Sequence, residues 1–246
     1  MPERVHSAES FSVARLHALR KLESTHFWFV ARRELIGRIL ARAAGPSSTI
    51  LDIGCGTGLN LSVIGEHCGR TAGIDLLIEG LKMSGRSDVA QADAARLPLL
   101  AGTVDVVIAL DVLEHVDDDV VFAEVARVLK TGGSVVVTVP ALGSLWSYRD
   151  KAAGHRRRYS RAALRSLAER HGFRVVDLRG FQFLLLPLVI ASRLRRDGQA
   201  ARDFEDAPPS WLNRMFLAVN RLELFLSGIV RPPLGSSFAL LATKES

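Results

Sequence analysis

Three carboxylates, Asp52, Asp75 and Asp93, stand at or just past the ends of successive apolar runs, and the first runs straight into Gly54-Cys55-Gly56-Thr57-Gly58. Glycines at 54, 56 and 58 let the backbone turn sharply and approach a ligand more closely than a Cβ would permit. Asp52 decides what such a turn can hold. A carboxylate at a strand end repels a pyrophosphate and attracts a cation, so the site favours a ligand carrying an ammonium or sulfonium group. The dinucleotide fingerprint also requires a small residue where Leu59 stands, which sets a nicotinamide or flavin dinucleotide aside. Asp is a favoured helix N-cap as well. An acid closing each of three consecutive strands nevertheless points to a ligand at the carboxyl edge of a parallel sheet.

A second group of chemistry-bearing residues lies in Leu145-Trp146-Ser147-Tyr148-Arg149-Asp150, continuing through Gly154-His155-Arg156-Arg157-Arg158-Tyr159-Ser160. Trp146, Tyr148, Asp150, His155 and Tyr159 are placed to form an acceptor pocket, because the loop leaves a strand at the sheet edge where open α/β folds bind ligands. A solvated basic turn at Arg156, Arg157 and Arg158 is the plainer alternative.

These residues need a scaffold. Two helical stretches cover residues 10–44, the second opening near Thr25 and stopping at Gly45-Pro46. Strands then alternate with helices to about residue 141, the pattern of a parallel sheet built from βαβ units. Ser160 caps a helix ending at His171-Gly172, Phe173 to Leu178 read as a sixth strand, and Ser237 to Thr243 as a seventh.

Leu51-Asp52-Ile53-Gly54-Cys55-Gly56-Thr57-Gly58 resembles motif I of the class I S-adenosylmethionine-dependent methyltransferases. Four further segments match in order: Thr71 to Leu76, Val89 to Ala94, Val104 to His115, and Arg127 to Pro140 with its Gly132-Gly133 turn. The resemblance implies a seven-stranded Rossmann-like α/β sheet of order 3-2-1-4-5-7-6 that binds S-adenosylmethionine. It implies Asp52, Gly54, Cys55, Gly56 and Gly58 around the donor, Asp75 and Leu76 at the ribose, Asp93 and Ala94 at the adenine, and Leu110 and Asp111 in the segment after it. Cys55 reads as a small filler within the turn. The W-S-x-x-D-x-x-x-G-H-x-R-R-Y-S pattern from Trp146, with His26-Phe27-Trp28-Phe29 and Arg33, is similar to a bacterial subgroup associated with polysaccharide, glycolipid or secondary metabolite pathways. That likeness adds Trp28, Arg33 and Arg158 to the acceptor side.

Methyl transfer from a sulfonium is an in-line displacement governed by positioning. A hydroxyl acceptor must also lose a proton, which requires a base working near neutrality. His155, oriented by Asp150, is the first candidate; His115, one helical turn beyond Asp111, is the second. An amine or carboxylate acceptor would need neither.

The organisation expected is one domain: an N-terminal helical cap (1–45), a core (46–179), an apolar helical insertion (180–235) and a last strand (236–246). The insertion carries Phe181 to Ile190, the arginines 193, 195 and 196, and a helical stretch over 210–230. Neither apolar run can span a bilayer. It is open to capping the pocket, forming a homodimer interface, or resting on a membrane surface. The net charge of +6 invites phosphate binding. Leu110-Asp111-Val112-Leu113 departs from the segment of nucleobase amino-methylating enzymes, and Pro140 is followed by Ala141 where cytosine C5 enzymes have cysteine. A small-molecule acceptor bearing phosphate, carboxylate or sugar, free or lipid-linked, is therefore preferred to RNA. A non-catalytic cofactor-binding subunit is the other class left open. Two cysteines without ligand spacing argue against zinc, and no metal is assigned. The polar amino terminus suggests a cytoplasmic protein, with or without membrane contact.

Overall fold

The structure is a computed structural model and describes residues 13–194 and 208–245. Two helices, α1 (Val13–Leu22) and α2 (Phe27–Ala43), precede an alternation of strand and helix: β1 (Thr49–Ile53), α3 (Leu59–Gly65), β2 (Arg70–Asp75), α4 (Ile78–Ser84), β3 (Val89–Gln91), β4 (Val104–Leu110), α5 (Asp118–Val128) and β5 (Leu129–Pro140). Then come α6 (Tyr148–Ala153), α7 (Arg161–Arg170), β6 (Phe173–Phe181), α8 (Leu186–Leu194), α9 (Ser210–Leu226) and β7 (Ser237–Lys244). The sheet has seven strands in the order β3-β2-β1-β4-β5-β7-β6, with β7 antiparallel to both neighbours, as the motif resemblance implied.

Period-two alternation explains how both faces are covered. Ile50, Val106, Ile108 and Val136 point to the face packed by α2 and α3, whereas Leu51, Ile53, Val107, Ala109, Val135 and Val137 point to the face packed by α5 and α7. Burying both faces requires the near-continuous apolar runs seen in β1, β4 and β5.

Two boundaries differ from the sequence reading. Lys130 to Gly133 form not a turn ahead of the fifth strand but an irregularity within it, between the Val104–Leu129 and Val106–Ser134 pairs. The sixth strand continues to Phe181, so the insertion starts two residues later than expected. Its two ends meet tightly: a Cβ on Gly180 would lie 1.9 Å from the Leu234 carbonyl oxygen, so only glycine permits this approach. Within the insertion, α9 lies on α2, with the Phe27 and Phe216 rings edge to face at 5.1 Å and the Asn213 side chain accepting from Phe27 N. Arg195 and Arg196 lie outside the described residues.

Candidate active site

A cavity of about 720 Å³ opens above the carboxyl ends of the parallel strands and reaches from the glycine turn to the insertion. At its first end, Asp52, at the end of β1 just ahead of the lining residues Ile53 to Thr57, does not itself line the cavity; it is 1% exposed, and neither of its carboxylate oxygens has a hydrogen-bond partner. Burial pushes its carboxyl up to about 7; Arg32 opposes the shift and Asp75 adds to it. A buried, unpartnered carboxylate beside a cavity calls for a cation. Gly54 and Gly56 take positive φ values of 70° and 55°, and a Cβ built on Gly56 meets nothing within 4 Å, so the turn leaves room for a ligand there.

Asp75 accepts from Gly56 N and Leu77 N, both at 2.8 Å, tying the end of β2 to the turn after β1. Leu76, Asp93, Ala94, Leu110 and Asp111 line the same end. Asp93 also accepts from Ala95 N at 2.9 Å, so the local turn role weighed for it is present as well. Two residues assigned to the cofactor play packing parts. Gly58 faces Ser84, whose Cβ would stand 2.9 Å from an added Cβ, and it does not line the cavity. The Cys55 side chain fills the gap over Gly73. Its thiol is pushed up by burial and by Asp52, which makes it inert as a nucleophile. From above, α1 closes this end with Leu16, Leu19 and Leu22, held down by Thr57 Oγ1 donating to Glu23 at 2.6 Å.

The other end is cationic and apolar. Asp150 is fully buried and accepts from Arg158 Nε at 2.7 Å, from Ser147 N at 2.9 Å and from His155 Nδ1 at 3.0 Å. Burial would raise the Asp150 carboxyl, but the hydrogen bonds from His155 and Arg158 outweigh it and hold the group well below the usual range. With its Nδ1 proton on Asp150, His155 turns Nε2 into the cavity, 3.8 Å from Glu114 Oε1. Glu114 is fully buried with both oxygens unpartnered; burial first, then the Asp111 charge, drives its carboxyl well above the usual range. His115 also lines the cavity, its Nδ1 3.2 Å from the Gly154 carbonyl and its ring 5.0 Å from that of His155.

Trp28 and Arg33 line the cavity. Three other acceptor-side assignments are corrected. Tyr159 is a core residue, 4% exposed, donating to Asp118 at 2.7 Å and bonded to the Leu113 carbonyl. Trp146 and Tyr148 sit outside the cavity wall, on the surface. Arg158 reaches the wall, but its guanidinium is committed to Asp150 and the Ala141 carbonyl. Sequence reasoning missed Arg32, which pairs with Asp111 and lies 4.5 Å over the Trp28 ring. The signal was there: Arg32 follows Trp28 by one helical turn, on the face that carries Leu35 and Ile36.

Residues 26–178 match the family model described as a methyltransferase domain. The chain belongs to this methyltransferase family. Its strand order and ordered motifs place it in class I, the S-adenosylmethionine-dependent group. This methyltransferase is 31% identical over 166 residues to a "Probable S-adenosylmethionine-dependent methyltransferase" of Mycolicibacterium smegmatis, covering 65% of this chain and 64% of that one. It is 35% identical over 103 residues to a malonyl-[acyl-carrier protein] O-methyltransferase of Hamiltonella defensa, 40% of each chain. The matches thus span less than two thirds of the length of these curated relatives. Among solved structures, a chain from the complex between the Haloferax volcanii Trm112 methyltransferase activator and a methyltransferase superimposes with a TM-score of 0.65 at 19% identity, over 98% of both chains. That likeness speaks to the fold.

Proposed function

We propose that this protein transfers the methyl group of S-adenosylmethionine to a hydroxyl of a small amphiphilic acceptor carrying an anionic group, with His155 as the general base. The residues fit the donor. Asp52 supplies the unpartnered carboxylate that the donor's ammonium needs, the open side of Gly56 leaves room for its amino acid end, and Asp75, Leu76 and Asp93 border the space for the nucleoside. When bound, the sulfonium supplies an activated methyl group.

The observation that carries the proposal is the pair Asp150 and His155. A carboxylate locked in its ionised form fixes the imidazole tautomer and leaves Nε2 as a proton acceptor inside the cavity. Asp150 is a positioning residue, and Arg158 positions it in turn. Once His155 takes the hydroxyl proton, Asp150 lies against one nitrogen of the imidazolium and Glu114 stands near the other. The wall around this base is made by Arg149 and Arg193 with Leu185, Leu188, Val189 and Phe216, which suits an anionic group joined to an apolar body. The likeness to an O-methyltransferase supports oxygen as the atom methylated.

Incubation with methyl-labelled S-adenosylmethionine and extracts divided into lipid, sugar and nucleic-acid fractions tests this. Label in the lipid or sugar fraction that disappears with His155→Ala is expected. Label in RNA contradicts the acceptor class, and tight donor binding without any labelled fraction favours a cofactor-binding subunit.

A further inference from the structure

The helix α9 is apolar on both sides. Phe216 and Leu224 are buried beneath it, yet Trp211, Met215, Leu222, Phe225 and Leu226 form a second apolar stripe along its opposite side. The exposures are large: 63% for Trp211, 69% for Phe225 and 80% for Ile229 just past the helix end. A helix apolar all round is ordinarily buried on all sides. The segment just ahead of α8 is tied to α9 by Leu184 N donating to Glu223 at 2.8 Å, and Phe183 and Leu184 there are exposed. An exposed apolar stripe of this kind along a helix marks an interaction surface.

We infer that the α8–α9 face docks on an anionic lipid bilayer and that the acceptor enters the cavity from it. Charge complementarity identifies the occupant. Among the described residues of the insertion, the cations are Arg193, Arg214, Arg221 and Arg231, whereas the single acid, Glu223, is buried. Arg221 also pairs with Glu34 of α2, and Arg231 lies 3.5 Å from Asp177, so Arg214 is the exposed cation of α9 most available to headgroups. With Glu223 buried and Arg214 exposed, the charge presented beside the apolar stripe among the described residues of the insertion is positive, which anionic headgroups complement. The cavity opens towards the outside of the insertion, since Leu188 of α8 both lines it and is 39% exposed. No helix among the described residues is long and apolar enough to cross a membrane, so the contact is one of lying on the surface. The docking rests on the proposed function only in giving an amphiphilic acceptor a path; binding to vesicles is tested without it.

The test is co-sedimentation of the full chain with vesicles of phosphatidylcholine alone or mixed with phosphatidylglycerol. Sedimentation is expected with the anionic vesicles. It should fall at least about tenfold in a combined Leu222→Glu, Phe225→Glu, Ile229→Glu variant, and about fivefold in Arg214→Ala, the scale of one basic residue near a charged surface. S-adenosylmethionine titration of each variant reports that the core is intact, and a loss of donor binding in the wild type would speak against the function rather than the docking. Absence of sedimentation with anionic vesicles, or equal sedimentation of the combined variant, overturns the inference. Light scattering that shows a dimer in the wild type and a monomer in the combined variant also overturns it, assigning the face to a second copy.

Discussion

The two ends of the cavity are built differently. The donor end is lined by Asp75 and Asp93 at the carboxyl ends of β2 and β3, with Asp52 buried at the end of β1, neighbouring strands of one sheet, so their convergence follows from a repeated local pattern. The acceptor end joins α2, the segment 147–158 and an insertion more than a hundred residues beyond α2, and it is held by contacts such as Asn213 to Phe27 and Arg193 to Ser147. The first end is acidic; the second is cationic and apolar. A fold can therefore keep its donor chemistry while its acceptor changes, because separate stretches of chain control the two.

Substitutions that act at one end alone would sharpen that contrast. The largest effect is expected from His155→Ala, which should lower kcat by about 10²–10⁴ with donor affinity nearly unchanged, the range for losing a general base. Steady-state kinetics beside calorimetry checks both halves of the statement, and a larger loss in His115→Ala would transfer the role to that residue. Next is Phe216→Ala, which removes a ring packed on Phe27 and opens the acceptor wall. It should cost about 3 kcal/mol of stability in denaturant titration and raise the acceptor KM, again without moving donor affinity. The smallest effect is a pH dependence at the other end. Because burial lifts the Asp52 carboxyl to about 7, the ligand-free protein carries it neutral at lower pH, and pairing with an ammonium requires its ionised form. Donor affinity should then rise by up to about tenfold per unit as pH climbs towards 7 and level off above it. The sign for stability is opposite. The folded state holds a proton that the unfolded chain has released, so this contribution is full below about 4 and is lost as pH rises through about 7. Asp52→Asn should flatten both dependences in pH-resolved calorimetry and thermal melts.

What was legible in the sequence follows the same division. Apolar runs ending in acids, a glycine turn and the cap at Ser160 are local signals, and Asp52 at the end of β1, Asp75 at the end of β2 and the helix over residues 161–170 stand where those signals put them, whereas the strand order is what the motif resemblance implied. Loop side chains carry no such signal. Tyr159 and Trp146 were read alike as pocket aromatics, yet one turns into the core to bond Asp118 and the other faces solvent, because a loop lacks the fixed periodicity that assigns a side chain to a face. The two unpartnered carboxylates also differ. Asp52 was marked by its strand end, whereas Glu114 gains its burial from the packing of residues 154–158 against it, a tertiary event. The insertion is tied into the core in the same tertiary way: Leu224 packs beneath α2, and removing it would bare Leu35, Ile36 and Leu40.

The claim that matters most is that the donor end holds S-adenosylmethionine through its strand-end acids, independently of the acceptor end. Calorimetric titration of the wild type, Asp75→Ala and His155→Ala with S-adenosylmethionine and with NAD tests it most directly. Micromolar or tighter binding of S-adenosylmethionine, weakened about ten- to a hundredfold by Asp75→Ala and unaltered by His155→Ala, is the predicted result, with no comparable binding of NAD. A preference for NAD, or donor binding indifferent to Asp75, would contradict it.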